Sequence, residues 1–146
     1  MCYPLGEDEG MMDGLLFPLW VGALMGAAIV GSLYWSRALH ERSGVAVLVA
    51  CIAFFWPVFA VQAEAGVMTI VGHAAGFLLF SGLAVWGFRT GMMTLAVLLA
   101  SHGVFDACVA LAHHPGPPWW PAFCGALDVV AGVGIFTLVQ VERVPT

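Results

Sequence analysis

Residues 91–141 read GMMTLAVLLASHGVFDACVALAHHPGPPWWPAFCGALDVVAGVGIFTLVQV, two long apolar segments separated by HHPGPPWWP. Four of the nine residues in that separator are prolines. They cannot continue a helix, because each lacks a backbone N–H and its ring clashes with the preceding turn. Each flanking segment has about the 20 apolar residues that a helix needs to cross a bilayer. This stretch therefore predicts two membrane-crossing helices, with Pro121 in the first turn of the second.

Three further apolar segments precede this pair of helices. The five predicted spans are residues 15–35, 44–62, 66–88, 91–113 and 120–141. The weakest interruption is QAEA (residues 62–65), but one helix over residues 44–88 is too long for a single crossing. The predicted fold class is therefore all-α: a polytopic integral membrane protein whose domain, residues 15–141, is a bundle of five transmembrane helices. Residues 1–14 form an acidic N-terminal tail, and residues 142–146 form a C-terminal tail.

The composition of the whole chain agrees with this fold class. The 146 residues are 62% hydrophobic and 9% charged, with a mean hydropathy of +0.98. A soluble domain has about 25% charged residues, so the lipid bilayer is the expected partner of this surface. The net charge is −5 and lysine is absent. A nucleic-acid partner is excluded, because phosphate binding needs clustered cations.

The positions of the arginines predict the orientation of the bundle. Arg37 and Arg42 lie in the first connection, Arg89 in the third, and Arg143 after the last helix. Five crossings place all four on one side of the membrane, which the positive-inside rule assigns to the cytoplasm. We therefore expect the N-terminus outside and the C-terminus in the cytoplasm.

Ionisable residues in the last two predicted helices form a stripe on each helix. From His102 to Asp106 the rotation about the helix axis is about 40°, and from His102 to His113 it is about 20° after three full turns. Cys124 and Asp128 are likewise four residues apart and share a face of the fifth helix. The two stripes predict one polar site between adjacent helices.

Depth along the helices places the members of that site relative to one another. At about 1.5 Å per residue from the predicted helix ends, His73, Asp106 and Asp128 fall in one layer of the outer leaflet. On the same count Cys124 lies above this layer and His102 lies below it. An ionised carboxylate at such depth costs about 2.5–3.5 kcal/mol, so both aspartates should point into the bundle.

Buried acids beside imidazoles can hold a proton, a metal ion or a small polar ligand. The candidate ligand or proton site is His73, His102, Asp106 and Asp128. The candidate metal ligands are His102, Asp106, His113 and Asp128, and their nitrogen and oxygen atoms suit zinc, iron or manganese. The expected supporting residues around these ligands are Cys124, His114 and Trp56. Alternatively, the same side chains only hydrogen-bond to one another and tie the third, fourth and fifth helices together.

Three functions are compatible with these features. The first is a site in the bundle that binds or transfers a proton, metal ion or small ligand. The G-x-x-x-G pairs Gly22/Gly26 and Gly72/Gly76 are expected to pack helices within one bundle, and alternatively to form a dimer face. The second function is an accessory subunit of a larger membrane complex, or a homo-oligomer, whose helices pack through these pairs. The third is a membrane enzyme acting on a lipid or isoprenoid, with His102 and Asp106 as an acid–base pair. No zinc-protease, nucleophile-elbow or phosphate-loop motif is present, so catalytic residues stay unassigned.

The last two predicted helices and their connection resemble a pattern found in uncharacterised small multi-pass bacterial membrane proteins. The pattern is HGxxD…HH…FCxxxD, and here it reads HGVFD (102–106), HH (113–114) and FCGALD (123–128). The pattern covers residues 101–130 and rests on short segments. The resemblance implies that these positions belong to one constellation, and it carries no activity, cofactor or partner. The expected location is a cell membrane, as a multi-pass protein of the bacterial inner membrane.

Overall fold

The computed structural model describes the backbone of residues 7–112 and 114–141, and the side chains of residues 14–112 and 114–141. The described chain consists of helices and connections, without a strand. The helices are α1 (Glu7–Trp35), a 3₁₀ turn (Ala38–His40), α2 (Arg42–Gln62), α3 (Val67–Thr90), α4 (Met92–Ala110) and α5 (Trp120–Gln140). By length and composition, all five α-helices can cross a membrane.

The helix bounds lie close to those predicted from the apolar segments, with two differences. α1 begins at Glu7 rather than at residue 15, and α4 ends at Ala110 rather than at residue 113. The weak interruption QAEA is a genuine turn, in which Glu64 has a φ of 50°. Five separate helices are therefore confirmed for the described chain.

The helices pack in two groups that α4 joins. α5 packs extensively along both α4 and α1, α2 packs with α3, and α4 also contacts α2 and α3. The predicted proximity of the fourth and fifth helices is thus confirmed. The core of the bundle is built from buried apolar side chains, including Val45, Val49, Leu95, Leu99, Ala131 and Ile135.

The two G-x-x-x-G pairs have different environments. Gly22 and Gly26 lie against the backbone of α5, and a Cβ at Gly26 would lie 2.5 Å from the carbonyl oxygen of Leu127. Only a residue without a side chain allows this approach, so the first pair joins α1 to α5. A Cβ at Gly72 or Gly76 would meet no atom within 4 Å, so the second pair makes no such contact within the described chain.

Candidate functional site

A cluster of buried polar side chains lies where α4 meets α5. His102 and Asp106 are one turn apart on α4, and Asp128 faces them from α5. The exposed fractions of the three side chains are 1%, 0% and 0%, in that order. One ligand atom from each lies within 4.8 Å of the other two, an arrangement that could hold a metal ion. We call these three residues the His/Asp cluster.

Hydrogen bonds connect the cluster across the helices. Nδ1 of His102 lies 2.8 Å from Oδ2 of Asp128 and 3.8 Å from Oδ2 of Asp106. The thiol of Cys124 donates a longer hydrogen bond of 3.9 Å to the same Oδ2 of Asp128. The imidazole is thus the group that contacts both acids.

A third helix contributes a donor to the cluster. Nε1 of Trp56, on α2, donates a 2.8 Å hydrogen bond to Oδ1 of Asp106. Trp56 is itself buried, with 2% of its surface exposed. Because the acceptor is a carboxyl group in an apolar interior, this bond holds Asp106 in a fixed orientation against α2.

Two glycines bring the acids of α4 and α5 together. A Cβ at Gly103 would lie 2.6 Å from the carbonyl oxygen of Gly125 and 3.1 Å from Cβ of Asp128. In return, a Cβ at Gly125 would lie 3.2 Å from the carbonyl oxygen of Gly103 and 3.5 Å from Cβ of Asp106. Each aspartate therefore packs over the glycine of the opposite helix, and a larger residue at Gly103 would separate the helices.

The sequence contains a signal for this packing that helical spacing alone did not reveal. HGVFD (102–106) and CGALD (124–128) share the pattern G-x-x-D, with a potential metal ligand directly before each glycine. The two segments run in opposite directions on neighbouring helices, so their glycines meet and each aspartate reaches the other segment. The repeated G-x-x-D pattern therefore indicates two things: where the two helices come into contact, and which acids lie at that contact.

The other predicted site residues lie around the cluster. The imidazole of His73 stacks on the indole of Trp56, with ring centroids 5.6 Å apart and planes at 14°. The imidazole of His114 meets the same indole edge-on at 5.6 Å. His73 is outside the set of ligand atoms that converge, and it reaches the cluster through Trp56. His113, one of the candidate metal ligands, lies outside the described residues.

The end of α4 brings His102 to the depth of Asp128. The depth count from residue 113 placed His102 below the layer of aspartates. In the structure α4 ends at Ala110, eight residues after His102, and α5 begins at Trp120, eight residues before Asp128. Counted from these ends, His102 and Asp128 each lie about 12 Å from the α4–α5 connection. The two residues therefore lie at the same depth along the bundle.

Several polar atoms of the cluster keep an unused hydrogen-bonding capacity. Oδ2 of Asp106, Oδ1 of Asp128 and Nε2 of His102 are buried and make no hydrogen bond with the residues that the structure describes. Buried polar atoms without a partner are few in folded proteins, because each carries a desolvation cost. The cluster therefore has the capacity to bind a further ligand.

Comparison with known proteins gives no family for this chain. No protein-family model matches it, and no curated protein and no solved structure is detectably similar to it.

Proposed function

We propose that this chain is a small integral membrane protein that binds a divalent metal ion at His102, Asp106 and Asp128. The observation that carries the proposal is the convergence of three fully buried ligand side chains within 4.8 Å. A cation bonded at about 2.1 Å to each ligand holds its ligand atoms at most about 4.2 Å apart. The ligand atoms of the cluster lie within 4.8 Å of one another, slightly more than this limit. Small side-chain rotations are therefore enough to bring all three to bonding distance of one ion.

Charge neutrality in an apolar interior supports a divalent ion. Two ionised aspartates and a neutral imidazole carry a charge of −2, which one divalent cation cancels. An uncompensated buried charge is strongly unfavourable, so a site with two carboxylates requires such compensation. One nitrogen and two oxygen ligands suit zinc, manganese or ferrous iron.

The proposed orientation places the site near the outer face of the membrane. Arg37 and Arg42, in and beside the α1–α2 connection, and Arg89, near the end of α3, lie at the same end of a five-crossing bundle. The positive-inside rule assigns that end to the cytoplasm. The α4–α5 connection, about 12 Å above His102 and Asp128, is then outside. In a background in which the four native cysteines are replaced by alanine, a membrane-impermeant thiol reagent should label Ala65→Cys in intact cells and leave Ser36→Cys unlabelled; the reverse pattern would refute this orientation.

Elemental analysis of the detergent-purified protein tests the metal site directly. We expect close to one transition-metal ion per chain in the wild type and its loss in the Asp106→Asn/Asp128→Asn variant. Glu64→Gln, which neutralises an exposed acid outside the cluster, serves as the control and should keep the metal. Both variants must retain wild-type helicity by circular dichroism. Absence of metal from the wild type, even after incubation with zinc, manganese and ferrous iron, would refute the proposal.

The 2.8 Å distance between His102 and Asp128 supports a second candidate, a proton-binding site. A proton shared between an imidazole and a carboxylate fits this distance without any side-chain movement. Two protons also cancel the charge of the two carboxylates. The bound proton should appear in the metal-free wild type either as the infrared carbonyl band of a protonated carboxylic acid or as the ¹⁵N ring shifts of a protonated His102, and the signal should change in Asp128→Asn. Absence of both signals would refute this candidate.

A further inference from the structure

A small, partly open cavity lies beside His102. It has a volume of about 10 Å³ and lies between α2, α3 and α4. The imidazoles of His73 and His102 both line it, and the rest of the wall is mainly aromatic, with Trp56, Phe80 and Phe105. Because about 10–15 Å³ on this measure accommodates one water molecule, the two imidazoles border the same water-sized space.

His102 lines this cavity, and its ring nitrogen Nε2 has no hydrogen-bond partner among the described residues. The two nitrogens of an imidazole lie on opposite edges of the ring, and Nδ1 is directed at Asp128 on α5. Nε2 is therefore directed away from this contact, on a ring that lines the cavity between α2, α3 and α4. Phe80 and Phe105 hold the ring in place, with centroids 4.7 and 5.8 Å from that of the imidazole.

Two further polar groups belong to residues of the cavity wall. The first is the imidazole of His73, which is only partly buried. The second is the backbone carbonyl of Ala53. Pro57 lies inside α2 four residues later and has no N–H, so this carbonyl lacks its usual helical partner. Ordered water commonly satisfies carbonyls that proline frees in membrane helices.

From this geometry we infer that the cavity binds one water molecule, which bridges Nε2 of His102 and the ring of His73. Such a water has the two to four polar partners that buried waters need. The bridge extends the hydrogen-bonded network from Asp128 through His102 to His73 on α3. It also gives His73 a role, although His73 lies outside the cluster.

The role of the water in metal binding rests on the proposed function. When Nδ1 of His102 binds a cation, Nε2 must carry the ring proton and needs an acceptor. Histidines that bind metals almost always donate this second N–H, and loss of the acceptor typically costs about 10- to 100-fold in metal affinity. The water provides the acceptor, and His73 acts as a positioning residue that holds it.

Nuclear magnetic resonance of the full chain, ¹⁵N-labelled at histidine, tests for the water. We expect a cross-peak between bound water and the His102 ring in the metal-free wild type. Ala53→Val, which fills the cavity, and His73→Phe, which removes one partner, should each abolish it. His73→Gln should keep it, and so should His114→Phe, because His114 contacts Trp56 without lining the cavity. A wild type without the cross-peak, or a cross-peak unchanged in a folded His73→Phe, would overturn the inference.

Zinc titration against a chelator tests the role of His73. We expect His73→Phe to weaken zinc binding by about 10- to 100-fold, while His73→Gln and His114→Phe stay close to the wild type. Equal weakening in His73→Phe and His73→Gln would contradict a hydrogen-bonding role. If the wild type binds no zinc, manganese or iron, the proposed function fails, whereas the water cross-peak still decides whether the bridge exists.

Discussion

Gly103 on α4 lies against Gly125 on α5, and each is followed three residues later by an aspartate that packs over the other glycine. The arrangement approximates a two-fold axis between two antiparallel helices, relating HGVFD to CGALD. On one side of this axis the residue before the glycine is His102, and on the other it is Cys124. The close approach of the backbones and the formation of the His/Asp cluster therefore depend on the same residues.

Replacing Gly103 by alanine should therefore weaken the cluster without removing a ligand. The added methyl would lie 2.6 Å from the carbonyl oxygen of Gly125, so the helices must separate. Overpacking of this kind costs about 1–3 kcal/mol, and we expect thermal unfolding in detergent at a lower temperature together with weaker metal binding. Gly31→Ala is the matched control, since a Cβ at Gly31 meets no atom within 4 Å. Equal stability of the two variants would contradict the close contact.

The hydrogen bond from Trp56 to Asp106 predicts the effect of a conservative substitution. Trp56→Phe keeps an aromatic ring but leaves Oδ1 of Asp106 without its donor. A buried acceptor that loses its partner costs about 1–3 kcal/mol, more where the acceptor is charged. We expect a corresponding loss in the free energy of unfolding, measured by denaturant titration in mixed micelles. Trp86→Phe, at a 54% exposed position on α3, should change it little.

The fold and part of the cluster followed from the sequence for simple physical reasons. Apolar segments of membrane length separated by charges and prolines define the helices, and the cost of burying a carboxylate directs Asp106 and Asp128 inward. The choice between His73 and His102 did not follow. Pro115 requires α4 to end before it but does not fix how far before it the helix stops, and α4 ends at Ala110. The hydrogen bond from Trp56 depends on which face of α2 packs against α4. The sequence does not determine that face, because α2 is almost equally hydrophobic on all sides.

The two G-x-x-x-G pairs should respond differently to the same substitution. Gly26→Ala places a methyl 2.5 Å from the carbonyl oxygen of Leu127, a backbone atom that cannot move without a shift of α5. Gly72→Ala places a methyl in open space and improves helix propensity. We expect Gly26→Ala to lower the free energy of unfolding by about 1–3 kcal/mol and Gly72→Ala to leave it unchanged or slightly higher. A large loss in Gly72→Ala, with helicity retained, would indicate that this face contacts a second chain.

Binding of the cation should stabilise the fold, because the ligands come from two helices that separate on unfolding. A ligand that binds only the folded state at 100 times its dissociation constant adds about 2.7 kcal/mol to the free energy of unfolding. Zinc or manganese should therefore raise the thermal unfolding temperature of the detergent-purified wild type. Magnesium should act weakly, since it retains its waters and prefers octahedral oxygen ligands. The Asp106→Asn/Asp128→Asn variant should show no zinc-dependent rise, and an equal rise in it would place the stabilising ion elsewhere on the chain.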